Sequence, residues 1–263
     1  MNTLFLCGRG SNQVALAHRL NACQSLSHIA VVEPARQAKR RPVLPRLASL
    51  TVARPLRKAW LDMARNYDRL FPDLPAGVPS SVHPGANSES VRDLVGAMRP
   101  DMVLVSGTDL LQQPLIDLMG RHGRVMNLHT GLSPYVRGGP NCTNWALALG
   151  GFDLIGNTVM WIDAGIDSGN LVATERTPLD GRETLGQLHL KVMEHAHDLY
   201  CRAYRRAADG DELPSVPQAS IAKGRLFLSK DWTAGRMLEA VTNFRNDYRP
   251  EALRPRDLPL VDL

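Results

Sequence analysis

The chain has 263 residues, of which 44% are hydrophobic and 22% are charged. This is enough to bury one large core with at most a small appendage, so we expect one main domain. A formal net charge of +5 at pH 7 suits an anionic ligand, such as a phosphorylated small molecule, without indicating nucleic acid by itself. No stretch approaches the roughly 18 apolar residues of a membrane-spanning helix, so we expect no membrane span.

The cysteines are scattered, without a C-x-x-C pair or a regular spacing. This pattern predicts neither a zinc ribbon nor a disulfide framework, and it favours a reducing, cytoplasmic setting. The apolar run at the start of the sequence is too short for a signal peptide and has no basic residue before it. The four cysteines are Cys7, Cys23, Cys142 and Cys201.

An apolar segment at residues 3–7 is followed by the turn G-R-G-S-N and then by a helical pattern. This is the order strand, glycine turn, helix. Gly10, Ser11 and Asn12 lie where the helix begins, and the N–H groups of a helix N-terminus attract anions. Because the full motif G-x-G-x-x-G is absent, the turn is either a phosphate site or an ordinary turn. Arg9 within it favours an anion.

Residues 34–61 carry eight basic side chains and four prolines but no acidic residue. The prolines predict an extended loop in the first half, and residues 56–70 have a helical pattern. On this helix the apolar face is predicted to comprise Trp60, Met63, Tyr67 and Leu70. The segment is compatible with a clamp on a phosphate-bearing substrate, a dimer contact, or a contact with RNA or anionic lipid. A solvated basic loop is the alternative.

Strand-like and helical segments alternate along most of the chain. Buried strands are predicted at 29–33, 101–106, 125–128 and 154–162, with an antiparallel edge strand at 171–177. Helices are predicted at 89–98, 114–119, 140–149, 183–206 and 232–244, and 72–84 is predicted to be a proline-rich connection. The alternation predicts an α/β fold with a doubly wound, mostly parallel, Rossmann-like sheet, whose ligands bind at the carboxyl ends of the strands. We place the main domain at 1–210, with the basic insertion at about 34–70, and a small C-terminal appendage at 211–263.

The long predicted helix carries His189, His195 and His197. Side chains two residues apart on a helix point in different directions, so His195 and His197 do not predict a shared metal ion. We expect no metal site.

Two glycine-rich segments carry the most informative polar residues. The first reads N-L-H-T-G-L-S-P-Y-V-R-G-G from Asn127, and the second reads D-A-G-I-D-S-G-N-L from Asp163. Asn127 and His129 come from the end of one predicted strand, and Asp167 follows another. Each alone is most often a turn former or a satisfied polar group. Together they predict an active site in which two strand ends face one crevice.

These segments resemble the formyltransferase family, whose members transfer a formyl group from 10-formyltetrahydrofolate to an amine. The resemblance covers residues 3–177 and implies that Asn127 donates a side-chain N–H to the formyl oxygen as negative charge develops there. It implies that His129 is a second donor or the proton-transfer group. Asp167 would be the neighbouring carboxylate that orients His129 and helps to move the proton.

The resemblance also implies a folate site and an acceptor site. The residues implied for folate are Thr108, Asp109, Leu110 and Leu111, with Asp163 either near the pterin ring or in a turn. The residues implied for the acceptor are Gly10, Ser11, Asn12, Tyr135, Arg137 and Gly138. Cys142 lies near this site in sequence, and we interpret it as a packing residue.

The motifs leave the acceptor amine open. The turn G-R-G-S-N resembles the phosphate loop of enzymes that formylate glycinamide ribonucleotide, while Y-V-R-G-G and N-W-A-L resemble enzymes that formylate nucleotide-linked amino sugars. The 57 residues after Arg206 are short for the tRNA-binding β-barrel of methionyl-tRNA formyltransferases. We therefore expect a small, phosphate-bearing amine, with a sugar nucleotide first and nucleic acid not expected. A homodimer is left open.

Three alternatives remain. The chain could formylate tRNA, or it could be a hydrolase that releases formate from the same folate. It could also be a catalytically silent binding protein that has kept the fold.

Overall fold

The computed structural model describes residues 1–33, 51 and 53–263. Its strands are β1 (Thr3–Gly8), β2 (His28–Val32), β3 (Ser80–His83), β4 (Met102–Ser106), β5 (Arg124–His129), β6 (Arg137–Gly138), β7 (Gly156–Trp161), β8 (Leu171–Arg176) and β9 (Leu226–Phe227). Seven of them form one sheet in the order β3-β2-β1-β4-β5-β7-β8. Strands β1 to β5 pair in parallel, whereas β7 and β8 are antiparallel to their neighbours. The mostly parallel α/β fold and the antiparallel edge strand are confirmed.

Helices cover both faces of this sheet. The helices of the described chain are α1 (Ser11–Cys23), α2 (Arg54–Leu70), α3 (Glu89–Met98), α4 (Gln113–Gly120), α5 (Cys142–Ala148), α6 (Leu185–Ala208), α7 (Gln218–Ile221) and α8 (Ala234–Asp247). Successive side chains of a strand point to opposite faces. Phe5 and Cys7 of β1 therefore join the core beneath α1 and α6, whereas Leu4 and Leu6 join the core beneath α3 and α4.

Strand β3 lies within residues 72–84, which were predicted to be a connection. That prediction is wrong, because Ser80–His83 pairs in parallel with β2 at the edge of the sheet. Val82 is 67% exposed, and only His83 in this strand is buried. An edge strand with this composition has no apolar pattern by which it could be recognised.

Helix α2 buries a different face from the one predicted. Met63 and Tyr67 are buried as expected, but Trp60 is 39% exposed and Leu70 is 59% exposed. The buried side chains are Leu56, Ala59, Met63 and Tyr67, which follow the spacing of one helical face. The basic residues Arg36, Lys39, Arg40, Arg41 and Arg46 lie outside the described residues.

The chain after α6 packs back onto the main fold. Helix α8 contacts α5, and Ala240 and Val241 share a core with Ala146 and Leu147. Strand β9 pairs in parallel with β6, and the Phe227 ring stacks on Trp145 with a centroid distance of 4.4 Å. The boundary at residue 210 stays a prediction.

The histidines of α6 have separate environments. His189 and His197 are buried, and burial lowers the pKa of His189 to about 4 and that of His197 to about 3. The Nε2 atom of His195 lies 3.0 Å from Glu175 Oε2. Among the described residues, no group of three His, Cys, Asp or Glu side chains could hold a metal ion. The same residues contain no helix that is long and apolar enough to cross a membrane.

Tyr200 ties α6 to the sheet beneath the predicted site. Its hydroxyl donates to the Met126 carbonyl at 2.6 Å and accepts from the Val105 N–H at 2.9 Å.

Tyr200→Phe leaves both buried groups without this partner, so we expect the free energy of unfolding to fall by about 1–3 kcal/mol. Urea denaturation followed by circular dichroism measures the change. In the control Tyr135→Phe, which removes an exposed bond to Pro259, the change should stay below about 0.5 kcal/mol. Equal stabilities of the two variants would contradict this role of Tyr200.

Candidate active site

Two clefts open at the carboxyl ends of the parallel strands. The first, which we call the Ile166 cleft, has a volume of about 360 Å³ and lies between the segment after β4 and the loop of residues 162–170. Its lining includes Val105, Thr108, Asp109, Leu110, Leu111, Asn127, Gly138, Trp161, Asp163, Ile166, Asp167, Phe227 and Ser229. All five residues predicted for folate therefore lie around one cavity.

The second cavity, which we call the Trp60 cleft, has a volume of about 330 Å³. It lies between the start of α1, helix α2 and the end of β5. Its lining is Asn12, Gln13, Trp60, Ser106, Gly107, Thr108, Asn127, Leu128, His129, Thr130, Pro140, Asp167 and Met193. The side chains are mostly neutral hydrogen-bonding groups beside one tryptophan and one methionine.

The two clefts meet at three shared residues. Thr108, Asn127 and Asp167 line both, and His129 lines the Trp60 cleft. The predicted trio thus lies where a ligand in one cleft would come closest to a ligand in the other. This arrangement suits a reaction between two bound molecules.

His129 and Asp167 form a close pair. The Nδ1 atom of His129 lies 3.4 Å from Asp167 Oδ2, and the two side chains are 10% and 18% exposed. The same carboxylate oxygen accepts the Gly138 N–H at 3.0 Å. Asp167 has a φ of 48°, a left-handed conformation that most non-glycine residues avoid. Such backbone strain is common at functional sites, where surrounding contacts hold it in place.

Asp167 reaches His129 by a route that the sequence did not predict. The antiparallel register pairs Met126 with Trp161 and His129 with Thr158, so β7 ends beside the start of β5. The end of β7 therefore does not face the crevice at the end of β5, and the prediction that two strand ends face one crevice is wrong. Instead, residues 162–170 fold back towards the carboxyl end of β5, where they bring Asp167 to His129.

Internal contacts shape this returning loop. The Asp163 carboxylate accepts the Gly165 N–H at 3.0 Å and the Ser168 hydroxyl at 2.7 Å, so it caps the turn as well as lining the Ile166 cleft. A Cβ atom on Gly169 would lie 1.7 Å from the Trp161 carbonyl oxygen. Only glycine fits there, because real Cβ atoms do not approach backbone oxygen so closely.

Gln218 holds the loop from the C-terminal segment. Its Nε2 atom donates to the Asp167 carbonyl at 2.8 Å and to the Gly169 carbonyl at 2.9 Å, and the residue is 7% exposed. The C-terminal segment therefore supports the site without supplying one of the trio.

The residues predicted at the start of α1 have different positions. Asn12 lines the Trp60 cleft, Gly10 is the N-cap of α1, and Ser11 is its first residue. Arg9, which favoured an anion, pairs with Glu33.

The other residues predicted for the acceptor lie elsewhere. Gly138 lines the Ile166 cleft and not the Trp60 cleft. Tyr135 and Arg137 line neither: the Tyr135 hydroxyl donates to the Pro259 carbonyl, and Arg137 pairs with Leu226 between β6 and β9. The glycine-rich segment from Tyr135 to Gly138 therefore packs against the C-terminal segment, a contact that a local motif does not reveal.

Sequence reasoning missed several lining residues. Trp60 was predicted to lie on the buried face of α2, but it lines a cleft. In the sequence it is only an apolar residue next to the positions that form the buried face. Gln13 and Met193 lie on helices with no local signal of function. Phe227 and Ser229 come from the C-terminal segment, outside the motif pair. Their positions depend on the pairing of β6 with β9.

The fold is α/β, with two adjoining clefts at the carboxyl ends of its parallel strands. Residues 1–204 match the family described as formyl transferase. The chain belongs to this family, and the resemblance seen in the motifs is confirmed.

Individual relatives agree with this assignment. The methionyl-tRNA formyltransferase of Syntrophus aciditrophicus is 28% identical over 176 residues, which are 65% of this chain and 54% of that protein. The chain spans about half the length of the curated relatives that it matches. A sugar N-formyltransferase from a Shewanella species superposes with a TM-score of 0.58 at 14% identity, covering 100% of this chain and 96% of the other.

A further solved structure carries ligands. The N-formyltransferase of Helicobacter canadensis, in complex with folinic acid and dTDP-3-aminofucose, superposes with a TM-score of 0.56 at 12% identity. The match covers 93% of this chain and 81% of that one. At such identities the solved structures show a shared fold.

The support from Gln218 can be tested without an activity assay. Gln218→Leu removes both hydrogen bonds to the loop, so we expect the amides of residues 163–169 to exchange hydrogen about tenfold faster, a change equivalent to about 1.4 kcal/mol in local opening. Hydrogen–deuterium exchange with mass spectrometry measures this. Ser220→Ala, an exposed change in the same short helix, is the control. Equal exchange of the loop in both variants would show that Gln218 does not hold it.

Proposed function

We propose that the chain transfers the formyl group of 10-formyltetrahydrofolate, bound in the Ile166 cleft, to the amine of a small acceptor bound in the Trp60 cleft. The observation that carries this proposal is the shared wall of Thr108, Asn127 and Asp167. Two reactants in separate cavities meet only there, and holding them in this way removes much of the entropic barrier to a reaction between them.

The Ile166 cleft fits a folate in shape and chemistry. Val105, Leu111 and Phe227 supply buried apolar surface for a flat ring system, as expected for a cofactor site. Thr108 and the carboxylates of Asp109 and Asp163 supply polar groups at its edges. When bound, the folate would supply an activated formyl carbon.

Asn127 and Asp167 have complementary roles at the wall. The Asn127 side-chain N–H donates to a carbonyl oxygen that gains negative charge, and a donor of this kind contributes about 3–4 kcal/mol in known enzymes. Asp167 faces both clefts and takes up the proton of the acceptor amine at its carboxylate, directly or through water, and then passes it to the folate nitrogen that the formyl group leaves. The His129 ring, 3.4 Å from Asp167 Oδ2, stabilises that carboxylate in its orientation.

The Trp60 cleft suits the sugar part of an acceptor. Trp60 and Met193 offer apolar contacts, while Asn12, Gln13 and Thr130 offer neutral hydrogen-bonding groups. The lining described by the structure includes no lysine or arginine, and we place the phosphate of an acceptor outside this part of the lining. A nucleotide-linked amino sugar with its amine towards Asn127 fits this division, and the Helicobacter canadensis structure contains a ligand of that class.

The decisive assay uses folate with a ¹³C-labelled formyl group and a panel of amines. The panel contains amino-sugar nucleotides, glycinamide ribonucleotide, N-hydroxylated diamines and charged initiator tRNA. Labelled formamide on an amino-sugar nucleotide is the expected product. Formylation of the tRNA alone would overturn the small acceptor in favour of the activity named for the Syntrophus relative. Labelled formate without any amine product would indicate a hydrolase, and no product at all would indicate a silent binding protein.

Asp167→Asn tests the proton-transfer role. The amide retains the size of the side chain and an oxygen for the Gly138 N–H, but it cannot take up a proton at neutral pH. We expect kcat to fall by at least about 100-fold, within the range for loss of general acid–base catalysis. Steady-state kinetics measures this, and thermal unfolding checks that the variant is folded. Near-normal kcat in a folded variant would contradict the mechanism.

Trp60→Ala tests the acceptor cleft. Loss of the aromatic surface should raise the acceptor KM about three- to tenfold, because aromatic contacts add about 0.5–1.5 kcal/mol beyond their buried area. The folate KM should be unchanged, since Trp60 does not line the Ile166 cleft. Leu61→Ala is the matched control, because Leu61 is exposed on the same helix and lines neither cleft. Equal acceptor KM values in the two variants would remove Trp60 from the acceptor site.

A further inference from the structure

Both ring nitrogens of His129 face protein groups. Nδ1 lies 3.4 Å from Asp167 Oδ2, and Nε2 lies 3.5 Å from the sulfur of Cys142. Cys142 is the first residue of α5 and is 2% exposed. The sequence interpretation treated it as packing, but its thiol contacts the ring of the proposed catalytic pair.

The contacts of His129, Cys142, Gly138 and Asp167 form a closed ring. The Cys142 thiol donates to the Gly138 carbonyl at 3.3 Å, and the Gly138 N–H donates to Asp167 Oδ2 at 3.0 Å. Asp167 contacts His129, and His129 contacts Cys142. Gly138 of β6 thus connects Asp167, through its N–H, with Cys142, through its carbonyl.

The thiol is suited to bonding and not to reaction. Burial, with a smaller effect from the nearby Asp167 carboxylate, raises the pKa of Cys142 far above its usual range, so the S–H stays protonated. A thiol can donate one weak hydrogen bond and accept another. Cys142 can therefore accept from Nε2–H when His129 is cationic and donate to Nε2 when the ring is neutral. In the second case its proton turns from Gly138 to the ring.

The surrounding packing fixes this geometry. A Cβ atom on Gly131 would lie 2.4 Å from His129 Nε2 and 2.7 Å from the Cys142 Cβ, so the two side chains occupy the space that glycine leaves open. The start of α5 is itself anchored, because the Asn141 side chain accepts the Asn144 N–H at 2.9 Å. The Trp145 indole donates to the Gly139 carbonyl at 3.0 Å.

We propose that Cys142 is a positioning residue that holds the His129 imidazole with Nδ1 towards Asp167 in both protonation states of the ring. Within the part of the chain that the structure describes, Asp167 and Cys142 are the titratable groups recorded in contact with that ring. The hydrogen bond made by one imidazole nitrogen determines whether the other nitrogen carries a proton. Cys142 therefore acts on Asp167 through His129. This inference rests on the proposed function for its effect on turnover, but the contact itself does not.

Two substitutions separate bonding from packing. Cys142→Ser keeps a donor and acceptor, whereas Cys142→Ala removes both with a small loss of volume. We expect Cys142→Ala to lower kcat about two- to tenfold, as for loss of one ordinary hydrogen bond, with both KM values unchanged. Cys142→Ser should retain most of the wild-type kcat. Cys23→Ala, at the far end of α1, is the thiol-deletion control and should match the wild type.

A second readout does not depend on catalysis. ¹⁵N NMR of the His129 ring should show a shift of the Nε2 resonance in Cys142→Ala and a smaller one in Cys142→Ser. If the wild type transfers no formyl group, the proposed function fails while this measurement still tests the contact. Unchanged Nε2 resonance in folded Cys142→Ala would overturn the inference. Equal losses of kcat in the alanine and serine variants would also overturn it, because they would show that only packing matters.

Discussion

The contact between His129 and Asp167 depends on a loop that reverses the course of an antiparallel strand. Strand β7 runs away from the carboxyl end of β5, and residues 162–170 return to it. The return needs a capped turn at Asp163, a glycine against the Trp161 carbonyl, and two hydrogen bonds from Gln218. The left-handed backbone of Asp167 is held by these contacts. The cost of ordering this loop is therefore offset by contacts within residues 161–169 and by Gln218 from the C-terminal segment.

The parallel half and the C-terminal half of the chain contribute differently. The parallel strands β1, β4 and β5 end side by side, which brings together Asn12 at the start of α1, Thr108 after β4 and Asn127 near the end of β5. The C-terminal segment adds Phe227 to one wall and Gln218 behind the loop. Although the family match ends at residue 204, the described site uses side chains beyond it.

Much of the fold could be predicted, because buried parallel strands are continuous apolar runs and the helices between them have a clear period. The edge strand β3 could not be predicted, since a polar edge strand has no such pattern.

The proposed trio was found through its motifs, and its residues do lie at one wall. The position of Trp60 was predicted wrongly. Two neighbouring helix positions can both carry apolar residues although one faces the core and the next faces a cleft. The contacts of Arg137, Gly138 and Cys142 depend on the pairing of β6 with β9 and on the start of α5, and that of Tyr135 depends on Pro259, none of which local motifs encode.

In the proposed reaction, donor and acceptor occupy different clefts that meet at Asn127 and Asp167. A crystal structure with a non-transferring formyl folate and an amino-sugar nucleotide tests it most directly. We predict the folate ring system between Leu111 and Phe227, and the sugar against Trp60 with its amine facing Asn127. Folate bound in the Trp60 cleft, or an acceptor amine that does not reach the shared wall, would show that the two clefts do not have these roles.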